Sequence, residues 1–277
     1  MAQRQPQWQQ FAGSIAENYQ RHLVPTIFEP WADDLVDLAA PQLGERVLDV
    51  ACGPGVVARL AARRAGAGQV TGLDINQGMV EVARSLSSDL AISWEEGNAL
   101  QMPFPDEAFD LVLCQQGVQF FPDRAAGLQE MRRVLVPGGR MAVAVWGPIE
   151  QSPSFAALAA ALGRHVSPAA AAAARSPFSL PGIEELRDLV EGAGLGNAEV
   201  HSRTKMLRFP QPAEFVAQYV WGSPVGAALG DSDPSVLQPV VREVAEALAS
   251  YLDNRVLSFP IENHLAQAVR PSPTADG

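Results

Sequence analysis

Val47-Leu48-Asp49-Val50-Ala51-Cys52-Gly53-Pro54-Gly55 runs from a short apolar stretch into a glycine turn, and VVARLAARRAGA follows at helical spacing. A run of this kind reads as a buried strand, and the glycines at its end let backbone N–H groups approach a ligand at the start of the helix. Taken alone, Gly53-x-Gly55-x-x-Ala58 also fits the dinucleotide fingerprint. One strand later QVTGLDI carries Asp74, placed where an acidic side chain can accept both hydroxyls of a ribose. Dehydrogenases share that feature. Asp49 separates the readings. A carboxylate inside the first strand, ahead of the turn, repels a pyrophosphate but favours a cationic ligand such as a sulfonium amino acid. Some forty residues of helical sequence precede the motif, an extension that nicotinamide enzymes do not usually need.

Outward from this motif, strand and helix patterns alternate. WQQFAGSIAENYQRHLV has helical spacing, and a second helix covers Glu29 to Ala40, ended by Pro41 and Gly44. RVLDVA, QVTGLDI, AISWEEG, FDLVLCQ and RMAVAVW read as strands, with NQGMVEVARSL and DRAAGLQEMRRVL as intervening helices. Pro137-Gly138-Gly139 is turn geometry introducing the fifth strand and is assigned no contact. Such alternation predicts an α/β chain with a parallel sheet covered on both faces. After Trp146 the rhythm breaks. Residues 147 to 180 hold the alanine-rich helix SFAALAAALGRHV and an AAAAAA tract, read as a short surface helix. GIEELRDLVEGAGL then returns as a helix and NAEVHSRTKML as a strand; helical segments at about 211 to 221 and 234 to 253 precede a last strand in VLSFPIENHLAQAV.

Bulk properties bound the function. With 277 residues the chain is one large domain or a domain with a sizeable insertion, and 47% hydrophobic content is ordinary for a soluble globule. No apolar run approaches the roughly 20 residues that span a membrane, and MAQRQPQWQQ lacks an apolar signal core, so a cytoplasmic location is expected. Cys52 and Cys114 form no disulfide ladder or metal-type cluster and read as packed small hydrophobes, so no metal is expected. Net charge is −11 and Lys205 is the sole lysine, which makes nucleic acid a poor acceptor and leaves solubility as the simplest role for the charge.

VLDVACGPG, VTGLDIN, EGNALQMPFPDEAFDLVLCQQGVQFFPD and RRVLVPGGRMAVAVW together resemble the class I S-adenosylmethionine (SAM)-dependent methyltransferases, most closely the group containing the ubiquinone and menaquinone biosynthesis C-methyltransferases. The likeness is strong over residues 44 to 146 and weaker in the final strand. It implies a Rossmann-like, doubly wound, mostly parallel seven-stranded sheet with an antiparallel last strand and a helical cap built from insertions. It also implies SAM as cofactor and S-adenosylhomocysteine as product. Carried over residue by residue, Asp49 organises the glycine loop, Gly53 and Gly55 cradle the methionine part, and Asp74 binds the ribose. Ile75, Met79 and Leu100 pack on the adenine, which Asn98 and Ala99 contact by hydrogen bonds, and Gln115 reaches the methionine end. Asn98 stands where the family usually has Asp; its carbonyl oxygen can still accept from an amino group.

The implied organisation is N-terminal helices closing over the cofactor (1–43), a cofactor core (44–146), a helical cap (147–180), and the rest of the sheet (181–270) with a second helical insertion at about 207–255, before a tail (271–277). Tyr19, Phe28, Phe120, Trp146 and Trp221 are candidates to line a pocket for a flat, largely apolar small molecule. The methyl acceptor atom is left open among O, N and C, and the oligomeric state between monomer and homodimer. His22, His165, His201 and His264 are the candidate bases; His165 reads as a helix-end residue and His264 as a sheet residue, and no catalytic base is assigned. A SAM-binding protein with another activity, such as cyclisation, and a nicotinamide-dependent oxidoreductase are the alternatives.

Overall fold

The computed structural model describes residues 14–66, 69–180, 182–229, 234–254 and 256–272. The expected helix around Trp8 and Phe11, and the tail after residue 272, lie outside the described residues. The sheet comprises β1 (Val47–Val50), β2 (Val70–Asp74), β3 (Ile92–Glu96), β4 (Phe109–Gln115), β5 (Leu135–Trp146), β6 (Gly196–Phe209), β7 (Leu252–Asp253) and β8 (Val256–Val269). Its order is β3-β2-β1-β4-β5-β8-β6, with the two-residue β7 pairing the start of β8. The first five strands are parallel; β8 runs antiparallel to both β5 and β6. The expected seven strands therefore form the main path, and β7 is an added stub. The last strand slots between β5 and β6. A register shift between Phe109 and Leu111 opposite Leu135–Arg140 marks Pro137-Gly138-Gly139 as an irregular entry to β5, consistent with a turn role.

The helices are α1 (Ser14–Asn18), a π-helical segment (Tyr19–Phe28), α2 (Glu29–Ala39), α3 (Val56–Ala65), α4 (Gln77–Ser85), α5 (Arg124–Val134), α6 (Pro153–His165), α7 (Pro168–Arg175), α8 (Ile183–Gly192), α9 (Pro212–Gly222), α10 (Pro224–Leu229) and α11 (Gln238–Ala247). Strand alternation sorts them between faces. Leu111 and Leu113 of β4 pack with α2, α3 and α4 on one side, and Val112 and Cys114 pack with α5 and α8 on the other. β6 and β8 continue past the sheet as a long ribbon. Its far end, with Leu207, Phe209, Leu257, Phe259 and Ile261, shares a core with α6, α7, α9, α10 and α11. The two helical insertions thus build one cap on the ribbon. The alanine tract is α7, and it is not simply a surface helix: Ala170, Ala173 and Ala174 are buried. Among the described residues, no helix is long and apolar enough to cross a membrane.

The strand order reverses between β1 and β4, each growing outward from that junction. In open α/β sheets the loops leaving such neighbours diverge, and the crevice between them is where ligands bind.

Candidate functional site

A cavity of about 410 Å³ opens at this reversal, beyond the C-terminal ends of β1, β2 and β4. Its floor is the turn after β1. Ala51 (φ 54°), Gly53 (φ 51°) and Gly55 (φ 80°) all adopt left-handed backbone, so the chain bends sharply and turns its N–H groups into one region. Asp49, 1% exposed, accepts a 2.9 Å hydrogen bond from the Ala58 N–H and so ties β1 to the first turn of α3. Asp74 is the second bracket. Its Oδ2 accepts from the Gly53 N–H at 2.7 Å and its Oδ1 from the Asn76 N–H at 2.9 Å. The sequence gives loop organisation to Asp49 alone; both carboxylates share it.

The two glycines part company here. A Cβ on Gly53 would meet nothing within 4 Å, because that face looks into the cavity. A Cβ on Gly55 would fall 2.2 Å from the Trp94 ring, and Gly55 does not line the cavity. Gly55 therefore packs over the Trp94 indole of β3, and only Gly53 of the two glycines lines the cavity. The cause is tertiary: a bulky side chain two strands away fills the space beneath the turn.

Burial governs the electrostatics. It pushes the Asp49 carboxyl up to about 8, against the lowering effect of the Ala58 N–H, with the nearby Asp74 charge adding to the rise. Burial likewise lifts Asp74 to about 6, opposed by the Asn76 and Gly53 N–H groups. Two carboxyl groups that ionise reluctantly are stabilised as carboxylates by a cation placed between them, and Asp74 retains lone pairs for hydroxyl donors. Ile75, Met79, Ala99 and Leu100 supply an apolar slot beside it. Asn98 also lines the cavity, with its Oδ1 accepting from the Leu100 N–H at 2.9 Å.

The π-helical segment crosses the cavity as a roof. Glu29 N–H bonds to Val24 O, five residues back, around a turn that contains Pro25. This turn is wider than that of an α-helix, and two such turns bring residues nine apart to one face. Tyr19 and Phe28 accordingly stack at 5.0 Å, and both line the cavity with Leu23, Val24 and Ile27 between them. Gln115, at the end of β4, donates from Nε2 to the Phe28 carbonyl at 2.8 Å, so its amide joins floor to roof.

Four of the five aromatic candidates meet here. Tyr19, Phe28, Phe120 and Trp146 line the cavity. Trp221 does not: it is 36% exposed. α9 turns Phe215, Val216, Tyr219 and Val220 inward, and a residue two past Tyr219 falls about 200° around the helix. Tyr219 takes the place assigned to Trp221, and Phe155 of α6 and Phe178 join it, none of them singled out from sequence. Phe155 is the hub, with ring centroids at 5.3 Å from Phe178 and 5.0 Å from Tyr219. The Phe215-x-x-x-Tyr219 spacing was the available signal for the inward face. The histidines stand elsewhere. His165 Nε2 sits 2.8 Å from Glu243, His264 Nδ1 2.7 Å from Ser202 Oγ in the sheet, and none of the four lines the cavity.

A family model described as a methyltransferase domain matches residues 47–139, which span the glycine turn and the whole floor of the cavity. A 2-phytyl-1,4-naphtoquinone methyltransferase from Synechococcus elongatus is 39% identical over 134 residues, covering 47% of this chain and 58% of the relative. A demethylmenaquinone methyltransferase from Deinococcus radiodurans is 36% identical over 165 residues, covering 58% of this chain and 68% of the relative. The chain thus spans little more than half the length of the first of these relatives. Among solved structures, the Haemonchus contortus phosphoethanolamine N-methyltransferase 2 in complex with phosphomonomethylethanolamine and S-adenosylhomocysteine superimposes with a TM-score of 0.60 at 18% identity, over 93% of this chain and 57% of the other. At that identity the likeness is one of fold.

Proposed function

The chain belongs to the methyltransferase family that includes demethylmenaquinone methyltransferase, and from that premise we propose that it transfers a methyl group from SAM to a small aromatic or quinone-like acceptor. One observation carries the reading: Asp74 holds the Gly53 N–H while still facing a cavity into which Gly53 presents no side chain. A nucleoside with a cationic amino-acid tail fits that combination of acidic bracket, bare backbone and apolar slot.

In this reading Asp74 accepts the ribose hydroxyls, Ile75, Met79 and Leu100 hold the adenine, and Asn98 and the Ala99 N–H read its edge. Gly53 leaves room for the methionine part, with Gln115 closing the roof over it. Bound there, SAM supplies a methyl group on a sulfonium, already activated for in-line displacement. The chain's own contribution is alignment and the exclusion of water. The aromatic residues of the roof and cap form the walls of the acceptor chamber, and their apolar faces suit a flat ring. With SAM bound, these walls would hold the acceptor atom in line with the methyl–sulfur bond.

Incubation with methyl-labelled SAM and a panel of demethylated naphthoquinols, phenols and amines tests the proposal. Label should pass into an organic-soluble product with at least one naphthoquinol or phenol. Failure across the whole panel, from a protein that binds S-adenosylhomocysteine, would count against methyl transfer to this class.

A further inference from the structure

Two hydroxyl groups in the acceptor chamber have no hydrogen-bond partner among the described residues. Tyr219 of α9 is 6% exposed and lines the cavity. Neither its hydroxyl nor that of Tyr19 has a hydrogen-bond partner among the described residues, and neither is among the polar atoms sealed away from all open space. For a side chain so fully enclosed, the open space in question is the cavity. The Tyr19 hydroxyl lies within electrostatic reach of both Tyr219 and Asp74, which places Tyr219 just beyond the cofactor end of the cavity, on the cap side. Phe155 and Phe215 hold its ring from two directions, at centroid distances of 5.0 and 6.3 Å. A rigid phenol, walled by aromatic rings and aimed into a cavity without a partner, is costly unless a ligand completes its hydrogen bond.

We propose that Tyr219 is a specificity-determining residue: its hydroxyl donates a hydrogen bond to an oxygen carried on the ring of the methyl acceptor, fixing which ring edge faces the cofactor. This rests on the methyltransferase reading above. The donor role follows from chemistry as well as position. Burial raises the Tyr219 phenol far above its ordinary value, so it keeps its proton and offers it to an acceptor oxygen at any physiological pH. Such a bond is strongest to an oxygen bearing negative charge, as in a hydroquinone or phenol ionised or ionising beside a cation. An aromatic hydrocarbon of equal size gains only the ring contacts and leaves the hydroxyl unpaired. A site built to hydrogen-bond an oxygen rejects the analogue that lacks it more sharply than a site selecting by shape alone.

The test uses the full-length protein loaded with S-adenosylhomocysteine under anaerobic conditions, with 1,4-dihydroxynaphthalene and naphthalene as probes. Wild type should bind dihydroxynaphthalene more tightly than naphthalene. Tyr219→Phe should weaken dihydroxynaphthalene about tenfold, leaving naphthalene and S-adenosylhomocysteine affinities unchanged. The variant removes only a hydroxyl without a partner among the described residues, so it should fold as wild type does. Unchanged dihydroxynaphthalene affinity, or an equal loss for both probes, overturns the assignment of Tyr219 while sparing the cofactor reading. Failure of wild type to bind S-adenosylhomocysteine overturns the methyltransferase reading itself, and Tyr219's role with it.

Discussion

Gly53 and Gly55 sit in one left-handed turn, yet substitution should separate their roles. Gly55→Ala drives a methyl into Trp94, whose Nε1 is held by Ser87 Oγ at 2.9 Å, so the indole cannot simply swing aside. A loss of at least about 2 kcal/mol of folding stability is expected. Gly53→Ala meets no atom and costs about 1–2 kcal/mol for its left-handed backbone; its methyl projects into the cavity, so the larger effect falls on cofactor affinity. Urea unfolding and S-adenosylhomocysteine titration of both variants check this, and equal stability losses with equal affinities would contradict it. Asp74 yields a second prediction. Its carboxyl ionises near 6 in the free protein, and only the carboxylate can accept both ribose hydroxyls. Affinity for S-adenosylhomocysteine should therefore be flat above pH 7 and fall as pH drops through 6, approaching tenfold per unit. Asp74→Asn should bind more weakly but without that slope. A wild-type profile that stays level from pH 7 to pH 5 would dissociate Asp74 from the cofactor.

Among the elements, the cap and the roof decide what the chamber accepts. Phe155 joins α6, α9 and β8 through rings at 5.0 to 6.2 Å from Tyr219, Phe215 and Phe259. Phe155→Ala should cost about 3–5 kcal/mol and impair acceptor binding more than binding of S-adenosylhomocysteine, as measured by denaturation and by separate titrations. An equal loss for both ligands would mean that cap and cofactor floor are not separable. At this scale the sequence speaks unevenly. The strands were legible because short apolar runs alternate with helical periods, and Asp49, Asp74 and the glycine turn carry their meaning locally. The π-helical segment was not legible, since Tyr19, Leu23, Val24 and Phe28 fit an ordinary helix about as well; only the backbone records the wider turn. In α9 the run FVAQYVW is apolar nearly all round, so its phase is ambiguous, and Trp221 was chosen where Tyr219 faces inward. The packing of Gly55 on Trp94 was not legible, because nothing near it in the chain announces that ring.

For the whole molecule, the crevice carries a cost that the fold must bear when empty. Asp49 ionises near 8 when folded against an ordinary value of 3.8. A carboxyl raised in this way stabilises the fold fully below the unfolded value, and that contribution is lost as pH rises through the folded one. Between about pH 4 and pH 8, unfolding releases the Asp49 proton, so wild type should lose stability relative to Asp49→Asn across that window. The Asn variant keeps an oxygen for the Ala58 N–H. Parallel stability curves for the two proteins would mean that Asp49 is ionised throughout. Ligand chemistry is concentrated where β1 and β4 diverge.

Calorimetric titration of S-adenosylhomocysteine into wild type and Asp74→Ala at pH 7.5 bears most directly on that crevice. One-to-one binding to wild type is predicted, weakened by about 2–3 kcal/mol in the variant, provided the variant's circular dichroism shows it folded. No heat of binding with wild type, or equal affinity in the two proteins, would contradict the account.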